Sequence, residues 1–410
     1  MHPAAAPLTI GGNIFDGDPL MRTLARTSLV TLLLLSQAIL AAQSLPLTVE
    51  EKRLPLVAQQ HPEFLKPFAP LLEDFGQKIA RSRDYASLES TTRSVGEALW
   101  QQATNRIKKQ QDFDDRPLYW SRLAASKMLR NLQPEFEISD SRRRALLDAL
   151  EWTSRGKSLA EFPEADYRIL LTGFDPFFLD RNLDQSNPSG VAAMMLDGSK
   201  FNIGDRTVAI ETALFPVRFE DFDRGDVEAF LTPYYRNKTA DMVTTISMGR
   251  DDFDLENFPG KRRSANAFDN LNILTGASAT NPLIPKLGDA PLEGSEFVEF
   301  SLPADAMMTI QTPWAVNDNH QVTTLTGDRE PESLQELDGE TSVQGSGGGY
   351  LSNEISYRSI NLANQLGVKL PIGHIHTPRI SPFDRAQEQA IVEQIRELLK
   401  AAAKAEMEQP

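Results

Sequence analysis

Tyr167-Arg168-Ile169-Leu170-Leu171-Thr172-Gly173-Phe174-Asp175-Pro176-Phe177 marks the point at which the texture of this 410-residue chain changes. An apolar run that ends in Gly and Pro reads as a buried strand closed by a tight turn. Asn187-Pro188-Ser189 and a helix-like run from Gly190 to Leu196 come next. Further apolar strands are predicted at Thr207 to Phe215 and Met242 to Met248, with a helix over Phe219 to Leu231 between them. Strands alternating with helices predict an α/β fold, an open sheet flanked by helices, whose loops gather at the strand ends where active sites of such folds lie.

Upstream the pattern is helical throughout. Val49 to Ala58, Phe64 to Ala80, Tyr85 to Ile107, Leu118 to Leu132 and Ser139 to Thr153 carry apolar residues at spacings of three and four, with Pro and Asp-Asp breaks between. Residues 43–166 are therefore expected to form an all-helical N-terminal domain, with residues 167–410 as the α/β domain. The helical part contains no catalytic constellation.

Met21 to Ala42 has a positive flank, a short apolar core and small residues at its end, the grammar of a secretory signal peptide. Residues 1–20 read as an upstream extension. The apolar core is shorter than the ~20 residues of a membrane span, so the expectation is a secreted or periplasmic protein with no stable membrane span after processing. A net charge of -15 disfavours nucleic acid and anionic lipid as general partners. The absence of cysteine fits an oxidising compartment in which no disulfides were recruited.

The chemistry-bearing stretches lie late in the chain. Gly345-Ser-Gly-Gly-Gly-Tyr-Leu-Ser352-Asn-Glu-Ile-Ser-Tyr357 puts Ser352 where a glycine-rich turn enters a helix, a geometry that exposes a nucleophile beside free backbone amides. Taken alone, such a stretch favours a plain connecting loop, since Gly-Ser clusters are mostly loops. Leu370 to Pro378 holds His374 and His376, two of only five histidines, alternating on a short strand so that both rings share a face. One of them is a candidate general base. The pair also suits a metal, but there is no cysteine and no third ligand at a recognisable spacing, so no metal site is expected. The acids from Asp251 to Glu256, after the third strand, offer a third group.

With these residues in view, the chain from about 168 to 400 resembles the pyroglutamyl peptidase I (pyrrolidone carboxyl peptidase) family. That family's Thr-Gly-Phe-(Asp/Glu)-Pro-Phe-Gly and Asn-Pro-Ser are matched by Thr172 to Phe177 and by Asn187 to Ser189. Its Val-Glu-Arg acid segment is matched by Leu255-Glu256-Asn257, and its Leu-Pro by Leu302-Pro303. Its Ala-Gly-x-Tyr-x-Cys-Asn aligns with Gly347 to Asn353, and its Gly-Phe-Ile-His-(Val/Thr)-Pro with Gly373 to Pro378.

The resemblance implies a Glu256, Ser352, His376 triad in chain order, with serine where the family has cysteine. A hydroxyl must lose its proton as it attacks, so His376 would act as a general base with Glu256 orienting its ring. Serine also suits a compartment in which an exposed low-pKa thiol would oxidise. The resemblance further implies that Phe174 and Phe177 flank the acyl group and that Met248 and Tyr350 complete the substrate site. Met248 stands where many members carry a lactam-reading glutamine, and Phe178 replaces the family's Gly. Arg262 and Arg263 lie near the place of an oxyanion-hole arginine, at a shorter spacing from Glu256.

The expected activity is removal of an N-terminal pyroglutamyl or related group from peptides by Ser-His-Glu acyl transfer, as an omega peptidase without metal or organic cofactor. Its substrates would be N-terminally blocked peptides or small amides. The alternative is an inactive homologue that keeps the pocket to bind a peptide or protein, because Cys-to-Ser exchange in a site shaped for sulfur often abolishes activity. Residues 257–343 are expected as an enlarged loop region, and Arg385 to Met407 as an amphipathic C-terminal helix. A homo-oligomer stays open.

Overall fold

The computed structural model describes residues 44–408 apart from 159 and 312, so the upstream extension and the signal-peptide stretch lie outside the described residues. The helical part comprises α1 (Val49–Lys52), α2 (Leu54–Gln60), α3 (Pro62–Leu65), α4 (Ala69–Ala80), α5 (Tyr85–Gln110), α6 (Arg116–Asn131) and α7 (Asp140–Thr153). Local chemistry sets the helix starts. Asp84 accepts a hydrogen bond from the Ser87 amide ahead of α5, and Ser139 accepts one from the Arg142 amide ahead of α7. α6 opens with Pro117 in its first turn, where a missing N–H costs nothing.

The chain then runs through β1 (Tyr167–Phe174), α8 (Pro188–Leu196), β2 (Ser199–Ile203), β3 (Arg206–Phe215), α9 (Phe219–Asp223), α10 (Asp226–Asn237), β4 (Met242–Met248) and β5 (Phe253–Glu256). A small hairpin, β6 (Lys286–Leu287) and β7 (Ala290–Pro291), is followed by α11 (Ala304–Met308) and β8 (Val316–Asn319). After these come β9 (Val322–Thr324), β10 (Gly327–Arg329), β11 (Ser342–Gln344), α12 (Leu351–Leu366), β12 (Ile372–Thr377) and α13 (Arg385–Glu408). The main sheet has seven strands in the order β2-β3-β1-β4-β12-β5-β8. β3, β1, β4 and β12 are mutually parallel, whereas β2 and β5 run antiparallel to their neighbours β3 and β12. Strand order reverses direction at β1, so the exits of β1 and β4 diverge and leave a crevice between them.

The two faces of the sheet are read off β1 itself. Ile169 and Leu171 join an apolar cluster with Leu99, Trp100, Val191 and Ile395, while Leu170 joins another with Phe230, Tyr235 and Ile355. The helical part thus shares its core with one face of the sheet, and α10 and α12 cover the other.

Ion pairs reinforce that junction at the exit of β1. Asp175 is buried and accepts from Arg122 of α6 at 2.9 Å and from Arg155, just after α7, at 2.7 Å. Arg155 also pairs with Glu151, Glu151 with Arg218, and Arg218 with Glu50 of α1.

Three features depart from the expected elements. The single helix foreseen over Phe219 to Leu231 is split into α9 and α10 at Gly225, whose φ of +89° no helix interior tolerates. β2 and β5 were absent from the strand pattern. Residues 257–343 contribute β8 to the main sheet and a separate three-stranded sheet, β10-β9-β11. Among the described residues, no helix is long and apolar enough to cross a membrane.

Candidate active site

The exits of β1, β4 and β12 and the start of α12 enclose a pocket of about 200 Å³. Its walls include Ser352, His376, Phe174, Phe177, Met248 and Tyr350, so the structure gathers these six sequence candidates at one place. The seventh, Glu256, reaches the pocket through His376.

β12 supplies the histidines. His376 lies opposite Asp254 in the antiparallel pairing of β12 with β5, and Glu256 follows two residues on, on the same side of the strand. His376 Nδ1 meets Glu256 Oε1 at 2.5 Å, which leaves Nε2 as the ring nitrogen free to serve the pocket. The other oxygen of Glu256 accepts from Asn319 Nδ2 at 2.8 Å, and the same amide also donates to the Ser346 carbonyl at 3.0 Å. Asn319 is in register with Glu256 on the neighbouring strand β8. The result is a relay, half-buried Asn319 to buried Glu256 to buried His376, in which the carboxylate is fixed at both oxygens.

His374 has a different job. It is fully buried, its Nδ1 2.8 Å from Thr245 Oγ1 and its Nε2 2.8 Å from Ser247 Oγ. Burial, with His376 beside it, holds its pKa well below the usual histidine range, so it is a neutral ring. It packs edge-on to His376 with ring centroids 4.9 Å apart, and so forms a wall that limits how His376 can turn. Among the described residues, no group of three or more His, Cys, Asp or Glu is placed to hold a metal ion.

Ser352 is the second residue of α12, next to first-turn amides that have no acceptor within the helix. Those amides, together with the positive end of the helix dipole, suit a developing oxyanion. The preceding loop is zipped to the segment that follows Glu256. Ser346 Oγ accepts from the Phe258 amide at 3.0 Å, and Asn353 exchanges hydrogen bonds with both backbone groups of Gly260, at 2.9 and 2.6 Å. A Cβ at Gly345 would stand 2.1 Å from Asn353 Oδ1, so this close approach is the reason for glycine there. Of the four glycines from 345 to 349, only Gly348 uses a positive φ, +86°.

The aromatic wall is less symmetrical than a two-ring sandwich. Phe174 is buried and stacks on Phe222 with ring centroids 6.1 Å apart. Phe177 and Phe178 pack on each other at 4.2 Å, and Phe178 holds a φ of +63°, the conformation that a glycine would adopt without strain. Tyr350 is anchored by its hydroxyl, which donates to the Phe268 carbonyl at 2.9 Å.

Arg262 and Arg263 do not line this pocket. Arg262 pairs with Glu296 at 2.8 Å, and buried Arg263 pairs with Glu354 of α12 at 2.6 Å and with Asp223 at 2.9 Å, which makes them braces. The arginines at the pocket are Arg250 and Arg379. Sequence reading also missed Asn319, because Asn317-Asp-Asn-His320 resembles a polar loop. The one available signal was that Asn317 and Asn319 alternate as strand residues do. His320 follows β8 directly and lies between the Pro331 carbonyl at 2.8 Å and Asp318 at 3.0 Å.

Gly249 backs the catalytic candidates: a Cβ there would lie 2.6 Å from His376 Cβ and 2.8 Å from its Cγ. Gly249→Ala is expected to push the imidazole aside and lower turnover by about a hundredfold, and to lower the melting temperature as well, because the clash falls on the rigid root of a buried side chain. Kinetics and a melt on the same preparation check both parts.

Residues 36–151 match the family described as PA0049 N-terminal domain, and residues 168–318 and 296–381 match PA0049, C-terminal domain. The chain belongs to the PA0049 family. Within it, the uncharacterized protein PA0049 of Pseudomonas aeruginosa PAO1 is 28% identical over 397 residues, covering 73% of this chain and 71% of its own. Among solved structures, the chain is similar to pyrrolidone carboxyl peptidase of the hyperthermophile Pyrococcus furiosus. A glutamate-to-valine variant of that enzyme has a TM-score of 0.38 and 20% identity, over 58% of this chain and 99% of the other. The enzyme described together with its cysteine-free mutant gives the same values. The C-terminal PA0049 match contains Glu256, Asn319, Ser352 and His376, and the N-terminal match contains Arg122.

Proposed function

We propose that this protein is a serine-dependent amide hydrolase that removes a pyroglutamyl or related acyl group from the N-terminus of peptides, and that it works outside the cytoplasm. The observation that supports this most is the Asn319–Glu256–His376 relay, which ends at the pocket that also receives Ser352. In this reading Ser352 Oγ attacks the amide carbonyl while its proton passes to His376 Nε2. The imidazolium so formed is stabilised by Glu256 at Nδ1. First-turn amides of α12 hold the oxyanion, the C–N bond breaks, and His376 returns the proton to the departing amine. Water then attacks the Ser352 ester with His376 again taking a proton, the acyl C–O bond breaks as His376 returns that proton to Ser352 Oγ, and the acid is released.

The test is release of a fluorescent amine from pyroglutamyl amide and a panel of other aminoacyl amides, with Ser352→Ala beside the wild type. Selective pyroglutamyl turnover that is lost in the variant supports the proposal. Turnover of another amide keeps the triad and changes the acyl group. Equal rates in both proteins would remove Ser352 from the mechanism.

One observation favours a second reading, binding without turnover: among the described residues, the Ser352 hydroxyl has no hydrogen-bond partner. Nucleophile-to-base bonds often close only around substrate, so a chemical probe separates the two readings. Because the chain has no cysteine, Ser352→Cys would introduce the only thiol. A thiol paired with His376 is expected to ionise well below the ordinary cysteine value of about 8.5, and so to react with iodoacetamide rapidly at pH 6. His376→Ala in the same background should return it to ordinary slow labelling. An unactivated thiol in both backgrounds favours the binding protein.

A further inference from the structure

The pocket is lined by two arginines and no carboxylate, in a protein whose net charge is -15. Arg250 follows β4 and Arg379 follows β12, and their backbones are joined by a hydrogen bond from the Arg379 amide to the Arg250 carbonyl at 2.8 Å. Both side chains are exposed. Among the described residues, neither guanidinium makes an ion pair or hydrogen bond. Asp254 feels the charge of Arg250 only from beyond ion-pair range, and one of its own oxygens accepts from Asn317 Nδ2 at 2.9 Å. Almost every other arginine near the site is spent on a carboxylate, as Arg263 and Arg358 are on Glu354. Two adjacent cations left without partners at a cavity mouth create a local positive field that the overall charge opposes.

Position says which part of a substrate would meet them. The apolar end of the pocket, with Phe174, Phe177 and Met248, suits an acyl group, and Ser352 and His376 mark where the amide would break. Arg250 is also shared with a second cavity of about 430 Å³ that contains Asn319, Gln344 and Ser346, and whose charged lining is otherwise Asp328, Arg329 and Glu330. It therefore borders both spaces, whereas Ser352 and His376 line only the first. We propose that Arg250 and Arg379 bind a carboxylate on the leaving amine, so that the substrates are amides whose amine portion is acidic. The carboxylate would be either the free terminus of a dipeptide or the side chain of an acidic second residue. A planar guanidinium fork is suited to either.

This inference rests on the proposed amide hydrolysis, and the experiment separates the two. The wild type is given pyroglutamyl-4-nitroanilide, which is neutral, and pyroglutamyl-5-amino-2-nitrobenzoate, whose leaving amine carries a carboxylate. The carboxylate substrate is expected to be favoured about tenfold or more in kcat/KM. That ratio should fall toward one in Arg250→Gln/Arg379→Gln and in 0.5 M NaCl, since exposed charges are screened by salt. A melt confirms that the double variant is folded. If the neutral anilide is cleaved as well or better, the anion site is overturned and the hydrolysis stands.

If neither anilide is cleaved and the aminoacyl-amide panel is inert as well, the hydrolysis reading fails and binding decides the anion site. Calorimetry on Ser352→Ala then compares neutral pyroglutamyl-glutaminamide with pyroglutamyl-glutamine and with pyroglutamyl-glutamyl-amide, which carry the terminal and the side-chain carboxylate respectively. Tighter binding of either acid, about tenfold and dependent on both arginines, supports the anion site and names its source. Equal binding, or none, overturns it.

Discussion

Ser352→Ala is expected to lower amide turnover by at least about a thousandfold, and by as much as ~10⁶ if serine, histidine and glutamate act as one unit. Removing the nucleophile leaves only binding and the oxyanion amides at the start of α12. Glu256→Gln is expected to cost about 10³- to 10⁴-fold. An amide presented to Nδ1 fixes the wrong tautomer and cannot stabilise an imidazolium. Asn319→Ala should be milder, at about a hundredfold, because it loosens the carboxylate and leaves its charge in place. Asn319 also holds the Ser346 carbonyl at 3.0 Å, but its hold on the carboxylate is the part that Glu256→Gln already disturbs, so adding Asn319→Ala to Glu256→Gln should cost clearly less than the two single effects multiplied, a departure from additivity. Steady-state kcat/KM for the four variants, each checked for an unchanged fold, tests the series. An Asn319 effect that multiplies fully with the Glu256 effect would mean that the two side chains do not form one relay.

The catalytic candidates were legible in the sequence because each is bound to a backbone event. Ser352 follows glycines and opens a helix, and His376 alternates with His374 on a strand flanked by Gly and Pro. The core strands β1, β3 and β4 were legible for the same reason, since buried parallel strands are near-continuous apolar runs. What could not be read were features made by pairing. β5 has only four residues, two of them acids, and is a strand because β12 and β8 lie on either side of it. Without β5 and β8 there is no way to see that Asn319 stands beside Glu256, across a separation of 63 residues. Arg263, by contrast, looked functional from its proximity to Glu256 in sequence, whereas its partners Glu354 and Asp223 come from distant elements. A charged residue in one sequence does not disclose whether its charge is already taken. That is why the partnerless Arg250 and Arg379 became visible only in the fold.

The helical part was also legible as helices and silent as to purpose, and Asp175 gives it one. Asp175→Ala is expected to destabilise the protein by about 3–5 kcal/mol, the range for leaving buried charge without its partner. Arg122 and Arg155 approach the carboxylate from the helical part, and all three side chains are almost wholly inaccessible. Without it, two guanidiniums face each other in the interior. Arg122→Ala should cost less, because Arg155 still neutralises Asp175.

The same pairing fixes a pH dependence. Burial pushes the Asp175 carboxyl up, but Arg122 and Arg155 outweigh it and hold the group below its ordinary value. As pH falls, the unfolded chain therefore takes up this proton first, near its usual pKa of about 3.9. The stabilisation is complete above that value and is lost as pH drops through the depressed folded pKa. Urea unfolding should accordingly show a wild-type advantage over Asp175→Ala that is full at pH 7 and shrinks below pH 4. Function should follow stability here. Asp175 sits between Phe174 and Pro176, and its backbone stays held by Asn187 Nδ2 on its carbonyl at 2.9 Å and by its amide on the Phe215 carbonyl at 3.0 Å, so loss of the carboxylate loosens the aromatic wall of the pocket without releasing it. A variant that still folds at low temperature should therefore show a raised KM with kcat less affected. If Asp175→Ala is instead as stable as wild type to within about 1 kcal/mol, the helical part is held to the sheet by its shared apolar core alone.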